Sequence, residues 1–152
     1  MAQRKRDLDT TDLRILTELG KNARASFTEI GATVCLSAPA VRDRIKQMEE
    51  DGIISGYKVV IDHAQLGQPI RAMITVQVKR EHGRWRVPDS EVVEMFSRLP
   101  GLIRYWSVTG EVDFVIEVAL PSMKSLEDLH RKLGTLGIFT TYMILECSGE
   151  PE

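Results

Sequence analysis

The chain has 152 residues, of which 43% are hydrophobic and 28% are charged, and its formal net charge is −2 at pH 7. This length allows one ordinary domain or two small ones, and the composition excludes a disordered chain. The apolar runs are too short to span a membrane, and the N-terminus lacks the apolar core of a signal peptide. Cys35 and Cys147 form no spacing pattern, which is typical of a reducing compartment. We expect a cytoplasmic protein without a membrane partner.

The first predicted helix begins at Asp9. Asp9 occupies the N-cap position, and Asp12 lies three residues later, where a carboxylate is favoured near the positive end of the helix. Leucines then recur every three residues, which predicts one buried stripe. The helix is predicted to end near Gly20, a residue type that is common after the last helical turn.

Two further short helices joined by a tight turn are predicted up to Gly52. Ser26 and Glu29 form a capping box at the start of the second helix. Ser37 is the predicted N-cap of the third helix, and Pro39 lies in its first turn, where a missing N–H costs nothing. Apolar residues at i, i+4 and i+7 predict that one side of the third helix is buried. Three such helices indicate a helix-turn-helix domain.

The outer face of the third helix is rich in hydrogen-bond donors, which is typical of a recognition helix. A solvated amphipathic helix fits this stretch equally well. Net charge does not decide between them, because the N-terminal half is neutral as well. The placement of charge is compatible with nucleic-acid binding, with a basic tail at Arg4, Lys5 and Arg6 and a basic cluster on the third helix. The charge evidence is therefore neutral and does not support either interpretation.

Residues 53–62 are rich in β-branched side chains and predict a strand or short wing. Residues 63–69 contain Gly67 and Pro69, and they predict a linker. We therefore divide the chain into a helix-turn-helix domain at 1–52, a strand and linker at 53–69, and a second domain at 70–152.

The second domain shows strand and helix periodicities in the order βαββαβ. The predicted elements are a strand at 71–79, a loop at 81–89, a helix at 90–99, strands at 102–109 and 114–120, a helix from Ser122 to near Gly134, and a strand at 140–147. This order is the ferredoxin-like arrangement, so the fold class is α+β.

In that arrangement both helices cover one face of the sheet, and the other face stays open. The open face is predicted to carry an apolar patch of Val115, Ala119, Met73 and Trp106. Exposed apolar patches of this kind mark interfaces. We therefore predict a dimer formed through the sheet.

Over nearly its whole length the chain resembles the Lrp/AsnC family of leucine-responsive, or feast/famine, transcription regulators. The matching pieces are LDTTDLRIL at 8–16, TEIGATVCLSAPAVRDRIKQMEEDGIISGY at 28–57, LG at 66–67, VTGEVDFVIEV at 108–118 and TTYMILE at 140–146. The resemblance implies an N-terminal domain that binds double-stranded DNA. It also implies a C-terminal domain that dimerises, assembles further to an octamer, and binds a small effector, often an amino acid, between subunits.

The resemblance places the DNA-reading residues on the third helix. They are Ser37, Ala38, Pro39, Arg42, Asp43 and Arg44, with Lys46 on the same outward side. Arg42 and Lys46 could reach base edges or phosphates, and Arg44 suits a phosphate. An ion pair with an acid of the same domain is the alternative for Arg44.

The resemblance places the effector site near the hairpin at 110–113. Gly110 would let backbone N–H groups approach a ligand carboxylate, and Asp113 could accept from the ligand ammonium. The alternative is that both are ordinary turn residues. The predicted effector-binding residues are Ser107, Thr109, Gly110, Asp113, and Thr140 with Thr141 from a neighbouring chain.

Two positions depart from the family pattern. Cys35 stands where the family usually has Gly, so a positive φ there would be strained. We expect a buried structural cysteine rather than a redox-sensing thiol. Gly31 replaces the usual Ala and is expected to weaken the second helix.

Three functions remain open: an effector-controlled regulator, an architectural DNA binder that ignores effectors, and a haem-biosynthesis decarboxylase of the same two-domain plan. The enzyme would need His or Arg in a C-terminal cavity, but His63, His82 and His130 are all predicted to be solvated. The sequence contains no nucleophile–base pair or metal cluster. We therefore expect no enzymatic activity, no metal and no cofactor apart from the small effector.

Overall fold

The computed structural model describes residues 7–81, 84–85 and 89–145. The chain divides into two compact units, and the boundary falls between Val60 and Ile61, inside the region predicted as strand and linker. Each unit has its own apolar core. The basic tail at 4–6 lies outside the described residues.

Three helices form the N-terminal unit: α1 (Thr10–Lys21), α2 (Phe27–Val34) and α3 (Ala38–Glu50). The predicted N-caps Asp9, Ser26 and Ser37 are confirmed, because each side chain accepts a backbone N–H of its own first turn. The first helix passes Gly20 by one residue and is capped by Asn22 instead. The buried side chains of this unit are Ile15, Ile30, Val34, Val41, Ile45 and Met48.

A two-pronged ion pair joins α3 to α1. One guanidinium nitrogen of Arg44 lies 2.7 Å from Asp9 Oδ2 and 2.7 Å from Asp12 Oδ1. The side chain of Asp12 is only 1% exposed, so its charge requires a partner inside the domain. The Asp12 backbone N–H and the Arg44 guanidinium hold the pKa of Asp9 below its ordinary value. The contact therefore fixes one side of α3 against α1.

The predicted strand at 53–62 is wrong. The backbone there is irregular, and no strand among the described residues pairs with it. A lone extended segment lacks the ladder hydrogen bonds that stabilise a strand. Its apolar side chains stay largely outside the core, with Val59 78% exposed.

The C-terminal unit has the predicted βαββαβ order. Its strands are β1 (Ile70–Val78), β2 (Arg80–Glu81), β3 (Arg84–Trp85), β4 (Leu102–Ser107), β5 (Phe114–Leu120) and β6 (Gly137–Met143), and its helices are α4 (Asp89–Ser97) and α5 (Met123–Leu136). The main sheet has the antiparallel order β4-β5-β1-β6. This confirms the ferredoxin-like arrangement.

Three details differ from the sequence prediction. The loop at 81–89 contains the short β2–β3 ladder. Helix α5 continues past Gly134 to Leu136, and β6 begins at once with Gly137 rather than at Thr140. The early start follows from the sheet, because Gly137 pairs with Val78 at the end of β1. Residues 146–147, the predicted end of this strand, lie outside the described residues.

The open face of the sheet carries an ion cluster. Glu117 is 5% exposed in its side chain and lies 2.7 Å from Arg71 Nη2 and 2.6 Å from Arg104 Nε. The Arg104 guanidinium also lies 5.0 Å from the centre of the Trp106 ring, a cation–π contact. Ala119 is fully buried, so it is not part of the exposed patch in which it was predicted. The open face is therefore apolar around a cluster of one carboxylate and two guanidinium groups.

The ion cluster predicts a loss of stability in acid. Burial raises the pKa of Glu117, but the hydrogen bonds from Arg71 and Arg104 outweigh it, so the pKa lies below its ordinary 4.5. The folded state then binds fewer protons than the unfolded state, and the stabilisation is present above about pH 4.5 and lost as pH falls through the folded pKa. We expect Glu117→Gln to lower the free energy of unfolding at pH 7 by about 1–3 kcal/mol. In the same variant the melting temperature should fall less steeply as the pH is lowered below about 4.5. An unchanged dependence of the melting temperature on pH in this range would contradict the role of Glu117.

Candidate DNA-binding and effector-binding sites

The exposed side of α3 presents two cations. The side chain of Arg42 is 60% exposed and that of Lys46 is 71% exposed. Arg42 lies 3.2 Å from Asp43 on the same surface, and Lys46 lies 3.5 Å from Glu50 one turn later. Such exposed pairs contribute little to stability and can be exchanged for a phosphate or a base edge.

The residues predicted at the start of α3 divide by exposure. Ser37 and Pro39 are exposed at the N-terminal turn, and Ala38 is half-buried. The Ser37 hydroxyl accepts the Ala40 N–H at 3.4 Å, so its first task is to cap the helix. Arg44 differs from the other predicted residues, because its charge already contacts Asp9 and Asp12. For Arg44 the structure therefore shows the alternative, an ion pair with acids of the same domain.

Both departures from the family pattern lie in or against the turn before α3, and this turn explains the one at Gly31. Cys35 is the C-cap of α2 with φ 60° and ψ 43°, so the expected positive φ is confirmed. Its predicted burial is wrong, since Cys35 is exposed; a left-handed residue at the end of α2 turns its side chain towards solvent. A Cβ on Gly31 would lie 2.5 Å from the Leu36 carbonyl oxygen. Because Gly31 has no Cβ, the backbone of the turn at Leu36 can pack directly against α2.

The hairpin between β4 and β5 spans residues 108–113. It is closed by a hydrogen bond from the Val108 N–H to the Asp113 carbonyl at 3.0 Å. Gly110 has φ 129°, a conformation that favours glycine. The Gln77 side-chain amide donates to the Glu111 carbonyl at 2.9 Å, which ties the hairpin to the end of β1.

Asp113 contacts the segment that follows β1. Its Oδ2 accepts the Val78 N–H at 2.9 Å, and its Oδ1 lies 2.5 Å from Arg80 Nη2. Only 7% of the Asp113 side chain is exposed, against 53% for Arg80. The carboxylate therefore fixes the position of Arg80 and leaves part of that guanidinium open to solvent.

A cleft of about 210 Å³ lies beside this contact, lined by Gln77, Val78, Lys79, Arg80 and Ile138. Sequence reasoning missed these residues. A signal was present, since antiparallel pairing of β1 with β5 aligns Val76 with Phe114 and so brings residues 77–80 beside the hairpin. The cleft combines two cations with an apolar wall, which suits a small ligand with a carboxylate.

The other predicted effector residues do not all share one surface. Ser107 ends β4, and Thr109 lies in the hairpin; both are exposed. Thr140 and Thr141 point to opposite faces of the sheet, because side chains alternate along a strand. Thr141 lies on the helix-covered face, where His130 Nε2 is 2.8 Å from its Oγ1. One chain can therefore offer only one of these two hydroxyls to a given ligand.

The histidines are more constrained than predicted. His130 is half-buried, and its ring lies 4.9 Å from the Phe139 ring centre. His63 is also half-buried and contacts Gln68 at 3.2 Å. His82 lies outside the described residues. Within the described ranges no three His, Cys, Asp or Glu side chains gather as metal ligands. None of the helices described is long and apolar enough to cross a membrane.

Two family profiles match this chain in succession. The AsnC-type helix-turn-helix domain matches residues 8–49, and the Lrp/AsnC ligand-binding domain matches residues 71–146. The first match contains α1 to α3, and the second contains the four-stranded sheet with the hairpin and the cleft beside it.

Relatives with known names agree with this assignment. The chain is 38% identical over 120 residues to the HTH-type transcriptional regulator Rv2324 of Mycobacterium tuberculosis, covering 79% of this chain and 78% of the relative. It is 28% identical over 138 residues to LrpC of Bacillus subtilis, covering 90% and 91%. These proteins are named as transcriptional regulators, which sets the decarboxylase alternative aside: the chain is a regulator and not an enzyme.

Solved structures show the same fold. The structure of Bacillus subtilis LrpC superposes with a TM-score of 0.82 at 26% identity, covering 95% of this chain and 99% of that one. The regulator NMB0573 of Neisseria meningitidis, solved as a complex with L-Met, gives 0.81 at 20% identity, with 95% and 94% covered. The chain therefore belongs to the Lrp/AsnC family of transcription regulators, with an N-terminal DNA-binding helix-turn-helix domain and a C-terminal ligand-binding domain.

Proposed function

We propose that this chain is a sequence-specific DNA-binding regulator whose DNA affinity or assembly responds to an amino acid bound at the hairpin end of the C-terminal domain. The observation that carries the proposal is that the same chain has exposed cations on α3 and a cleft beside the hairpin that is lined by Lys79 and Arg80. As a DNA binder it would act in the cytoplasm.

The roles on α3 follow from exposure and partners. Arg42 and Lys46 contact base edges or phosphates, and the Arg42–Asp43 contact orients the guanidinium. Ser37, Ala38 and Pro39 lie at the N-terminal turn of α3, where the backbone N–H groups of Ser37 and Ala38 suit a phosphate and Pro39 contributes none. Arg44 acts as a positioning residue, since its charge contacts Asp9 and Asp12.

These roles predict different salt dependences. Arg42→Gln and Lys46→Gln should each weaken binding to the operator about tenfold, and each should reduce the slope of log affinity against log salt by about one where a phosphate contact is lost. Arg44→Met should lower the melting temperature and leave the slope unchanged. Fluorescence anisotropy at several salt concentrations measures the DNA affinity and the salt slope of the three variants. Thermal unfolding measures the melting temperature of the Arg44 variant.

Lys124→Gln, which removes an exposed cation from α5, is the matched control and should bind DNA like the unchanged protein. Full affinity and slope in both the Arg42 and Lys46 variants would refute the assignment of α3 as the DNA-reading helix.

For the effector, the cleft suggests how an amino acid is bound. Lys79 and the exposed part of Arg80 receive the carboxylate, and Ile138 contacts an apolar side chain. Backbone near Gly110 lies open for a further hydrogen bond, and Thr109 with Ser107 lies close along the chain. Asp113 positions Arg80 instead of binding the ammonium directly, because its oxygens already have donors. The ammonium is then bound by a neighbouring subunit. The Thr140 hydroxyl of that subunit, which lies on the open face of its sheet, can accept a hydrogen bond from the ammonium.

The L-Met complex of the Neisseria regulator supports an amino acid as the ligand class. We expect Lys79→Gln to raise the amino-acid concentration that gives half of the change in DNA affinity by about tenfold. Affinity without amino acid should stay the same, because Lys79 lies outside the DNA-binding unit. Anisotropy titrations compare this variant with Lys124→Gln, and an unaltered response of the Lys79 variant would remove the cleft from the proposal.

The proposed assembly uses the open face of the sheet. Apolar side chains remain exposed there, with Ile138 at 69% and Tyr142 at 58%, and Met73 and Trp106 at about two fifths. Glu117 is paired with two arginines, so its carboxylate is not left without a partner when this face is covered. We infer that a second copy covers it, and that dimers assemble further towards an octamer.

Sedimentation velocity tests this interface. Tyr142→Asp places a charge within the proposed contact, on the edge strand β6, and should shift the protein to monomer at micromolar concentration. The control Val93→Asp alters an apolar residue with 41% exposure on α4, on the other side of the sheet, and should remain at least dimeric. Equal masses for both variants would contradict a dimer formed through the sheet.

A further inference from the structure

A second and larger cleft lies at the opposite end of the C-terminal domain. Its volume is about 640 Å³, and its walls come from Gln68 ahead of β1, the turn between α4 and β4, the turn between β5 and α5, and one side of α5. The hairpin lies at the other end of β1, roughly 26 Å away, because the nine residues of this strand are separated by eight steps of about 3.3 Å. The two clefts are therefore separate sites.

The floor of this cleft is apolar and rigid. Pro100, Pro121 and Leu120 line it, and the prolines have a fixed φ and no N–H group. Gly101, with φ 71°, lets the backbone pack closely, since a Cβ there would lie 2.0 Å from the Ala119 carbonyl oxygen. The Ala119 N–H also donates to the Gly101 carbonyl at 2.8 Å. The floor is thus formed before any ligand binds.

The rim of the cleft is polar and carries an excess positive charge. Arg131, Lys132 and Asp128 line it from α5, together with Ser125. Asp128 forms an ion pair with Arg131. Lys132 has no ion pair among the residues that the structure describes, so its ammonium can bind an anion.

We propose that this cleft is a second ligand site, and that it takes a small organic monocarboxylate with an apolar chain. The carboxylate binds Lys132, and the chain packs on the two exposed prolines, beneath which Leu120 is buried in the core. An amino acid fits less well, because the carboxylate that could bind its ammonium is already paired with Arg131. A phosphate fits less well, because most of the lining would offer it no donor.

The test is a calorimetric titration of the full chain with 4-methylpentanoate. A ligand of about eight non-hydrogen atoms with ordinary efficiency gives a Kd of about 1 mM or tighter. Lys132→Gln should weaken binding about tenfold. Asp128→Asn should strengthen it several-fold, because it removes the repelling carboxylate and releases Arg131. The two substitutions thus move the affinity in opposite directions.

Two controls separate this site from its alternatives. Lys124→Gln, on the same helix outside the cleft, should bind the probe unchanged, and Lys79→Gln reports any binding of the probe at the hairpin end. A loss in Lys79→Gln without a loss in Lys132→Gln would place the probe in the hairpin cleft and overturn the proposal. No saturable binding by the unchanged protein, or equal losses in Lys124→Gln and Lys132→Gln, would overturn it as well. None of these outcomes depends on the amino-acid response of DNA binding.

Discussion

The contact of Arg44 with Asp9 and Asp12 is the constraint on which the DNA-binding unit depends. Asp12 is buried where α1 meets α3, and a buried carboxylate without a partner would oppose folding. Arg44 supplies that partner from α3 and so sets the rotation of the helix about its axis. With Arg44 turned towards α1, Arg42 and Lys46 face outward. The charge that stabilises the unit is therefore distinct from the charges proposed to read DNA.

The C-terminal unit contains two further contacts in which arginines pair with a buried carboxylate. Glu117 is paired with arginines from β1 and β4, and Asp113 is paired with Arg80 beyond the end of β1. Each contact joins segments that are distant in sequence. The first leaves the open face of the sheet able to accept a second copy, and the second brings a cation beside the hairpin. Structure and proposed function thus depend on the same few carboxylates.

Local signals in the sequence predicted much of this fold. The caps at Asp9, Ser26 and Ser37 and the apolar periodicities depend on neighbours within one turn or one strand, so they can be read directly. The pairings of Arg44 and Arg80 depend on how elements pack, which periodicity does not contain. The strand predicted at 53–62 is not formed, although the composition of this segment is typical of a strand. No strand among the described residues lies beside it to form ladder hydrogen bonds. Thr140 and Thr141 were predicted in one site although alternation along a strand directs them to opposite faces, and the contact of Thr141 with His130 required the fold.

The most direct test of the central claim is fluorescence anisotropy of the full chain on the DNA upstream of its own gene, at fixed salt, with each common amino acid in turn. An effector-controlled regulator predicts specific binding whose midpoint shifts with one or a few amino acids and with no others. Tight binding that no amino acid alters would contradict the effector role and favour an architectural DNA binder. Absence of binding would contradict the assignment of α3 to DNA.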